Sequence, residues 1–133
     1  MSEPDTDYFS SLRSEKHMSL TTFRRNGEPV ATPIWFAEVA GCLYVRTAGH
    51  FKKLERIAED PSVTVAPCTE NGEVTGAVLT GVARILSDSD PVIEAADAAL
   101  DRKYPDERPA MTQLLADNGW PGIYVEVRAP AAS

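Results

Sequence analysis

The chain has 133 residues, of which 43% are hydrophobic and 25% are charged, and its formal net charge is −7. This length fits a single domain that buries its own core. No apolar run approaches the roughly 20 residues of a membrane-spanning helix, and the polar, acidic N-terminus does not resemble a secretory signal. We therefore predict a cytoplasmic protein without membrane contact. Its acidity also argues against nucleic-acid binding through phosphate neutralisation.

Turn signals and apolar periodicity predict a mainly β protein with peripheral helices. Asn26-Gly27 and Asn71-Gly72 each separate two strand-like runs, which is a strong hairpin signal. Pro33 indicates an edge strand or a bulge, because proline cannot donate to a β-ladder. The predicted elements, in chain order, are a helix over 8–16, strands over 18–23, 29–39 and 42–47, a helix over 51–59, a strand over 62–67, one bent strand or two over 74–87, helices over 90–104 and 108–117, and a strand over 122–127.

Six or so antiparallel strands in one small domain favour closure into a barrel, which removes exposed sheet edges. We predict one domain over 1–133, with flexible ends over 1–7 and 128–133. Cys42 and Cys68 lie in or beside strands without a CxxC arrangement, so we expect reduced, structural thiols. The sequence offers no cluster of cysteines and histidines for a zinc site.

The junction between the third predicted strand and the helix after it is the strongest candidate for a ligand site. Thr47 ends the strand, and Lys52, Lys53 and Arg56 lie in the first turns of the helix. Helix N-termini present free N–H groups and a positive dipole end, so the junction suits an anion such as a phosphate. The three cations are neighbours on a helix and form a clamp in one interpretation. The alternative is a solvated helix face whose cations pair with nearby glutamates.

A second candidate is the run Thr32-Pro33-Ile34-Trp35-Phe36. A strand with a proline and two adjacent aromatic residues leaves backbone groups free and can place a ring beside a flat ligand. The alternative is an edge strand that buries one aromatic residue in the core. Spacing alone favours this second interpretation.

Few other patterns point to chemistry. Trp120, beside the closing strand, lines a pocket in one interpretation and packs in the core or an interface in another. The sequence has no dinucleotide-binding glycine pattern, no phosphate loop and no nucleophile elbow. His17 and His50 are the only imidazoles, and no pattern favours either as a catalytic base. The residues alone therefore indicate a small β-barrel with an anion site.

The order of these segments resembles that of the split β-barrel flavin and deazaflavin oxidoreductases of the pyridoxamine 5′-phosphate oxidase-like superfamily. The resemblance covers 19–86 well and 120–127 more loosely, and it is strongest to the branch labelled F420-dependent. The segments that carry it are the hairpin over 20–36, Thr47 followed by Lys53 and Arg56, Asp60-Pro61 with the strand after it, Ala66-Pro67-Cys68 and the run 76–85.

This resemblance implies a homodimer whose cofactor lies in a groove at the subunit interface. Lys53 and Arg56 would meet the cofactor phosphate or its acidic tail, Thr47 would hydrogen-bond nearby, and the backbone of the second candidate run would line the deazaflavin ring. With both candidate runs included, the predicted cofactor-binding residues are Thr32, Pro33, Ile34, Trp35, Thr47, Lys52, Lys53 and Arg56.

The activity that the resemblance implies is hydride transfer between reduced F420 and an electron-poor organic substrate. In such enzymes the cofactor carries the chemistry, so no catalytic side chain is assigned. Two alternatives stay open. One is an FMN-binding oxidoreductase on the same barrel, and the other is a non-catalytic protein that carries a cofactor, haem or another tetrapyrrole.

Overall fold

The computed structural model describes residues 7–49 and 51–130. The strands are β1 (His17–Phe23), β2 (Pro29–Ile34), β3 (Ala37–Val39), β4 (Cys42–Ala48), β5 (Ser62–Cys68), β6 (Leu79–Ile85) and β7 (Gly122–Arg128). The helices are α1 (Lys52–Glu59), α2 (Val92–Lys103) and α3 (Glu107–Asp117). All strand pairs are antiparallel, and the sheet order is β2-β1-β5-β6-β7-β4-β3. The predicted mainly β class with peripheral helices is confirmed.

A tight turn sets the register of the hairpin at one edge of the sheet. Gly27 has a φ of +89° there, a conformation that glycine adopts without steric cost. β1 and β2 pair from Met18 opposite Ile34 to Phe23 opposite Pro29. The sheet order leaves β2 at this edge, as its proline predicted. The hairpin brings the second candidate run beside the start of β1.

Side chains of β4 alternate between two apolar clusters, because successive residues of a strand point to opposite faces. Leu43 and Val45 are fully buried in the main core, which also contains apolar residues of α1. Tyr44, between them, packs in a second cluster with Leu86 and with Ala96 of α2. β4 is therefore covered on both faces, which fixes its C-terminal end as a rigid support for the residues after it.

The helix predicted over 8–16 is wrong in extent, since only Ser10–Leu12 forms a single 3₁₀ turn. Phe9 and Leu12 are both fully buried in the main core. In a 3₁₀ turn residues three apart are eclipsed, so this one turn buries both side chains.

The strand predicted over 29–39 is broken into β2 and β3 by Trp35 and Phe36. The hydroxyl of Tyr104 occupies the place of a strand partner there, because it accepts a hydrogen bond from the backbone N–H of Phe36 at 3.1 Å. The run 74–87 holds one strand, β6, preceded by an isolated bridge between Cys68 and Val74.

The flexible C-terminal end predicted over 128–133 is wrong at its first residue. Arg128 pairs with Val82 in the sheet, and its Nη2 donates to Oε1 of Glu126 at 2.6 Å. Residues 131–133, and most of the predicted flexible N-terminal end, lie outside the described residues. Within the described ranges, no helix is long and apolar enough to span a bilayer.

Candidate active site

A cavity of about 390 Å³ opens where β2, the end of β4, the start of α1 and α3 meet. This volume falls in the range of small-molecule sites, which are mostly apolar with a few fixed polar groups. The residues that line the cavity are His17, Pro33, Ile34, Trp35, Arg46, Thr47, Ala48, Phe51, Lys53, Glu70, Leu100, Arg108, Met111, Leu114, Leu115 and Trp120.

The structure brings together residues of both runs that the sequence singled out. Pro33, Ile34 and Trp35 lie on one wall of the cavity, and Thr47 and Lys53 lie on the same cavity. These two groups are more than ten residues apart in sequence and meet because β4 and β2 both end here. The aromatic wall with Trp35, the Lys53 cation and the Thr47 hydroxyl therefore line the same cavity.

The other three predicted site residues do not line the cavity. Thr32 is half-buried in β2 opposite Leu20. Lys52 and Arg56 line a separate, open depression on the other side of α1, which we call the outer groove. It is formed by Phe23, Arg24, Arg25, Lys52, Glu55, Arg56, Ala58 and Glu59.

Lys52 and Arg56 both have protein partners in the outer groove. Lys52 Nζ lies 3.4 Å from Oε2 of Glu55, so the solvated-face interpretation fits this residue. Arg56 Nε donates to Oγ1 of Thr22 at 2.6 Å, and Thr22 is almost fully buried. The three-cation clamp is thus divided, with one cation at the cavity and two at the groove.

Lys53 is a partly desolvated cation. Its side chain is half-buried, and its Nζ lies 5.0 Å from the centroid of the Phe51 ring. Burial lowers the pKa of Lys53 below its ordinary value, and the positive charge of Arg56 lowers it further. A charge with little water around it interacts more strongly with an incoming anion than an exposed charge does. Thr47, on the same cavity, is buried.

Trp35 is held in place by Tyr104, which precedes α3. The two rings stack with their centroids 5.1 Å apart and their planes 17° apart. The Tyr104 hydroxyl lies 2.7 Å from the carbonyl oxygen of Lys16 and 3.0 Å from that of Phe36. Burial raises the pKa of Tyr104 to about 12, so the hydroxyl stays protonated and keeps its donor. The aromatic wall is therefore a fixed surface.

Sequence reasoning missed the wall that α3 contributes. Arg108, Met111 and Leu115 are spaced by three and four residues, and all three face the cavity. This spacing is visible in the sequence, but it does not tell which neighbour the helix face meets. Trp120 also lines the cavity, which agrees with the first of the two interpretations of its sequence position.

Arg108 is the most buried charged residue of the cavity, with 5% of its side chain exposed. Its Nε donates to Oδ1 of Asp101 at 3.0 Å, and its Nη2 donates to Oδ1 of Asp97. Tyr124 of β7 donates to the same Asp97 oxygen at 2.5 Å. This network ties α2, α3 and the sheet together behind the cavity.

Two further predictions concern metals and thiols. The described part of the chain contains no group of three or more histidine, cysteine or acidic residues that would hold a metal ion. Cys42 is half-buried and Cys68 is buried, and neither forms a disulfide. Burial raises the pKa of both thiols, which keeps them protonated and unreactive.

Residues 6–116 match the protein family described as pyridoxamine 5′-phosphate oxidase. No curated protein matches the sequence significantly. Several solved structures share the fold over nearly the whole chain at low identity, which confirms the split-barrel class.

Three of these structures differ in what their names say they bind. The haem storage protein HutZ from Vibrio cholerae is 11% identical, with a TM-score of 0.70 over 98% of this chain and 93% of that one. A FAD-binding protein from Mesorhizobium loti is 18% identical, with a TM-score of 0.65 over 92% and 85%. An F420 reductase is 18% identical, with a TM-score of 0.57 over 92% and 93%. At these identities the likeness shows the fold alone.

Proposed function

Because the chain belongs to the pyridoxamine 5′-phosphate oxidase family, we propose that it is an F420-dependent oxidoreductase whose cofactor binds in the cavity. The reaction is hydride transfer between the reduced deazaflavin and an electron-poor organic substrate. The observation that carries this proposal is the shared cavity of Trp35 with Thr47 and Lys53. A flat ring and an anionic tail are the two features that such a cavity accommodates.

The residues present fit such a cofactor. Pro33, Ile34 and the immobilised Trp35 offer a flat, largely apolar surface for a ring. Lys53 and the hydroxyl of Thr47 offer a cation and a donor to a phosphate. Hydride chemistry comes from the cofactor when it is bound, and the chain's own residues bind it, orient it and keep water away.

F420 and FMN both carry a phosphate that can pair with Lys53, so this contact does not distinguish the two cofactors. We favour F420 because the order of the sequence segments resembles that of the branch labelled F420-dependent. An FMN-dependent oxidoreductase on the same barrel is the alternative that the same geometry supports.

We also propose that the protein is a homodimer with the cavity at the subunit interface. Phe51, Leu114 and Trp120 lie on the cavity, and each exposes more than a third of its surface, at 44%, 48% and 37%. Several exposed apolar side chains of this size around one cavity are typical of a surface that a partner covers. Sedimentation velocity should give the mass of two chains with cofactor present. A mass of one chain would contradict this part of the proposal.

A second candidate function is non-catalytic haem binding, and one observation favours it. His17 lines the cavity and supplies an imidazole, the common protein ligand of haem iron. The other histidine, His50, lies outside the described residues. A Soret band on haem titration that disappears in His17→Ala, together with no binding of F420 or FMN, would move the protein to this function.

The decisive experiment compares Lys53→Ala with Lys52→Ala. Both variants remove one lysine charge from the same turn of α1, but only Lys53 lines the cavity. Loss of a charge-assisted contact of about 1.5–3 kcal/mol should weaken F420 binding about 10- to 150-fold in Lys53→Ala. Lys52→Ala should bind within about twofold of the wild type. Equal effects of the two variants would contradict the assignment of Lys53.

Tryptophan fluorescence gives the binding signal. The sequence has two tryptophans, and both line the cavity. Trp120→Phe leaves Trp35 as the single reporter on the wall assigned to the ring. Saturable quenching by F420 alone supports the deazaflavin function, and tighter quenching by FMN supports the flavin alternative. Absence of quenching by either cofactor would reject both.

A further inference from the structure

Lys53 supplies the one lysine amine among the described residues that line the cavity. Within 7–49 and 51–130, its Nζ donates no hydrogen bond and forms no ion pair. Two other lysines are paired, because Lys52 Nζ lies 3.4 Å from Oε2 of Glu55 and Lys16 Nζ lies 2.7 Å from Oε2 of Glu107. Lys53 therefore lacks the carboxylate that stabilises the charged form of those two.

The Lys53 amine is also accessible. Among the described residues, no side-chain nitrogen is both buried and without a hydrogen-bond partner. Since Nζ of Lys53 has no such partner there, it keeps contact with solvent, and Lys53 lines the cavity. A small molecule that enters the cavity can therefore reach this nitrogen.

Two features of the site favour the uncharged form of this amine, which is the nucleophilic form. Burial lowers the pKa of Lys53, and the positive charge of Arg56 lowers it further. Desolvation in an apolar pocket and a neighbouring cation are two ways in which proteins activate a lysine towards carbonyl compounds. Lys53 has both, together with a cavity in which a carbonyl compound can bind.

The walls of the cavity favour a ligand with an apolar body. Trp35, Met111 and Leu115 line it, and the Trp35 ring is fixed by its stacking on Tyr104. Burial of apolar surface is favourable in proportion to its area. A carbonyl compound with a hydrocarbon chain is therefore held beside Nζ, whereas a small polar one gains little from these walls.

We propose that Lys53 is a covalent binding site for saturated, apolar aldehydes. Its Nζ adds to the carbonyl carbon, the two N–H hydrogens leave with the carbonyl oxygen as water, and an imine forms. The step needs no oxidant or reductant. The imine occupies the nitrogen assigned to the cofactor phosphate, so aldehyde and cofactor compete. This competition rests on the proposed function, whereas the aldehyde site does not.

Reductive trapping locates the reaction, because sodium cyanoborohydride converts the imine into a stable secondary amine. We would treat the purified full chain with hexanal and cyanoborohydride and measure labelling by peptide mass spectrometry. The sequence has four lysines, which are Lys16, Lys52, Lys53 and Lys103. Lys53 should be labelled about tenfold faster than Lys52, an effect equal to the burial of about two methylene groups. Equal rates at these two neighbours would overturn the proposal.

Lys103 is an internal control, because it is half-buried but does not line the cavity. Burial lowers the pKa of Lys103 to about 8, and its Nζ lies 3.4 Å from the centroid of the Phe36 ring. Glycolaldehyde, which is small and polar, is the matched second probe. Relative to Lys52, the ratio of hexanal to glycolaldehyde labelling should be about tenfold higher at Lys53 and within about twofold of one at Lys103. An equal ratio at Lys53 and Lys103 would mean that desolvation alone causes the labelling, and would overturn the proposal.

Cofactor protection separates this inference from the proposed function. Saturating F420, or FMN in a parallel sample, should slow hexanal labelling of Lys53 about tenfold and leave Lys52 and Lys103 unchanged. Fast labelling of Lys53 that neither cofactor slows would reject the phosphate contact of the proposed function and keep the aldehyde site. Cofactor binding by tryptophan quenching without preferential labelling of Lys53 would reject the aldehyde site and keep the proposed function.

Discussion

Lys52 and Lys53 are adjacent and carry the same charge, yet the structure places them in different surroundings on α1. Lys53 is half-buried on the cavity, near the buried Thr47. Lys52 has 80% of its side chain exposed in the outer groove and pairs with Glu55. The comparison shows that two adjacent lysines at one helix start can differ in burial and in partners.

The division follows from helix geometry. Leu54 and Ile57 anchor one side of α1 in the main core. Successive residues of an α-helix are rotated by about 100°, so residues one apart point in different directions and residues four apart share a face. Lys52 and Arg56 therefore lie together on the groove side, and Lys53 lies apart from them. The three cations therefore do not all line one cavity, although the charge of Arg56 still acts on Lys53.

The two sides of α1 should differ most in how they affect the pH dependence of cofactor affinity. The pKa of Lys53 is lowered in the free protein, and a bound anion favours the charged form and raises it again. If the cofactor binds at Lys53 as proposed, binding takes up a proton there, and affinity should fall by up to about tenfold per pH unit above the lowered pKa. Titrations at rising alkaline pH measure this slope.

Lys53→Ala should flatten that slope, and Lys52→Ala should keep it. A slope that survives in Lys53→Ala would place the titrating group elsewhere. In the free protein, the contribution of Lys53 to folding stability changes with pH in the opposite direction and increases as pH rises. Because the folded-state pKa lies below the unfolded one, the burial penalty of charged Lys53 is full at low pH and is lost as pH rises to the unfolded value.

Local sequence signals were sufficient for much of the fold. Asn26-Gly27 predicted a hairpin that the structure confirms, and Pro33 predicted the sheet edge, because both act through backbone geometry within a few residues. The break at Trp35 and Phe36 was missed because its cause is Tyr104, about 70 residues away in sequence. A distant hydrogen bond that replaces a strand partner leaves no local signal.

The same reason explains which part of the site was predicted. Trp35 and Lys53 were found because each lies in a segment with its own composition and spacing. Arg108 and Met111 were missed because α3 joins the cavity only through the tertiary packing of two helices on the sheet. The helix was predicted nearly to its bounds, but the surface that it faces was not.

Arg56→Ala tests the outer-groove side of α1. Arg56 Nε is the donor to the buried Thr22 hydroxyl, and its removal should destabilise the fold by about 1–2 kcal/mol in urea unfolding. Since Arg56 does not line the cavity, F420 affinity should stay within about threefold of the wild type. Arg25→Ala is the control, because it removes a cation from the same groove whose pair with Glu59 is exposed. A tenfold loss of F420 affinity in Arg56→Ala would restore the phosphate contact that the family resemblance implies.

The smallest expected effect is that of Glu55→Gln. The Lys52–Glu55 pair is exposed at both ends, at 80% and 72%, so its loss should change stability by about 0.3 kcal/mol and less at high salt. The variant also leaves Lys52 without its carboxylate partner and raises the net positive charge of the outer groove by one. If the cofactor's anionic groups stay at Lys53, F420 affinity does not change. A several-fold gain in F420 affinity that FMN does not share would instead mean that the acidic tail reaches around α1 to Lys52, so the two faces would act as one site.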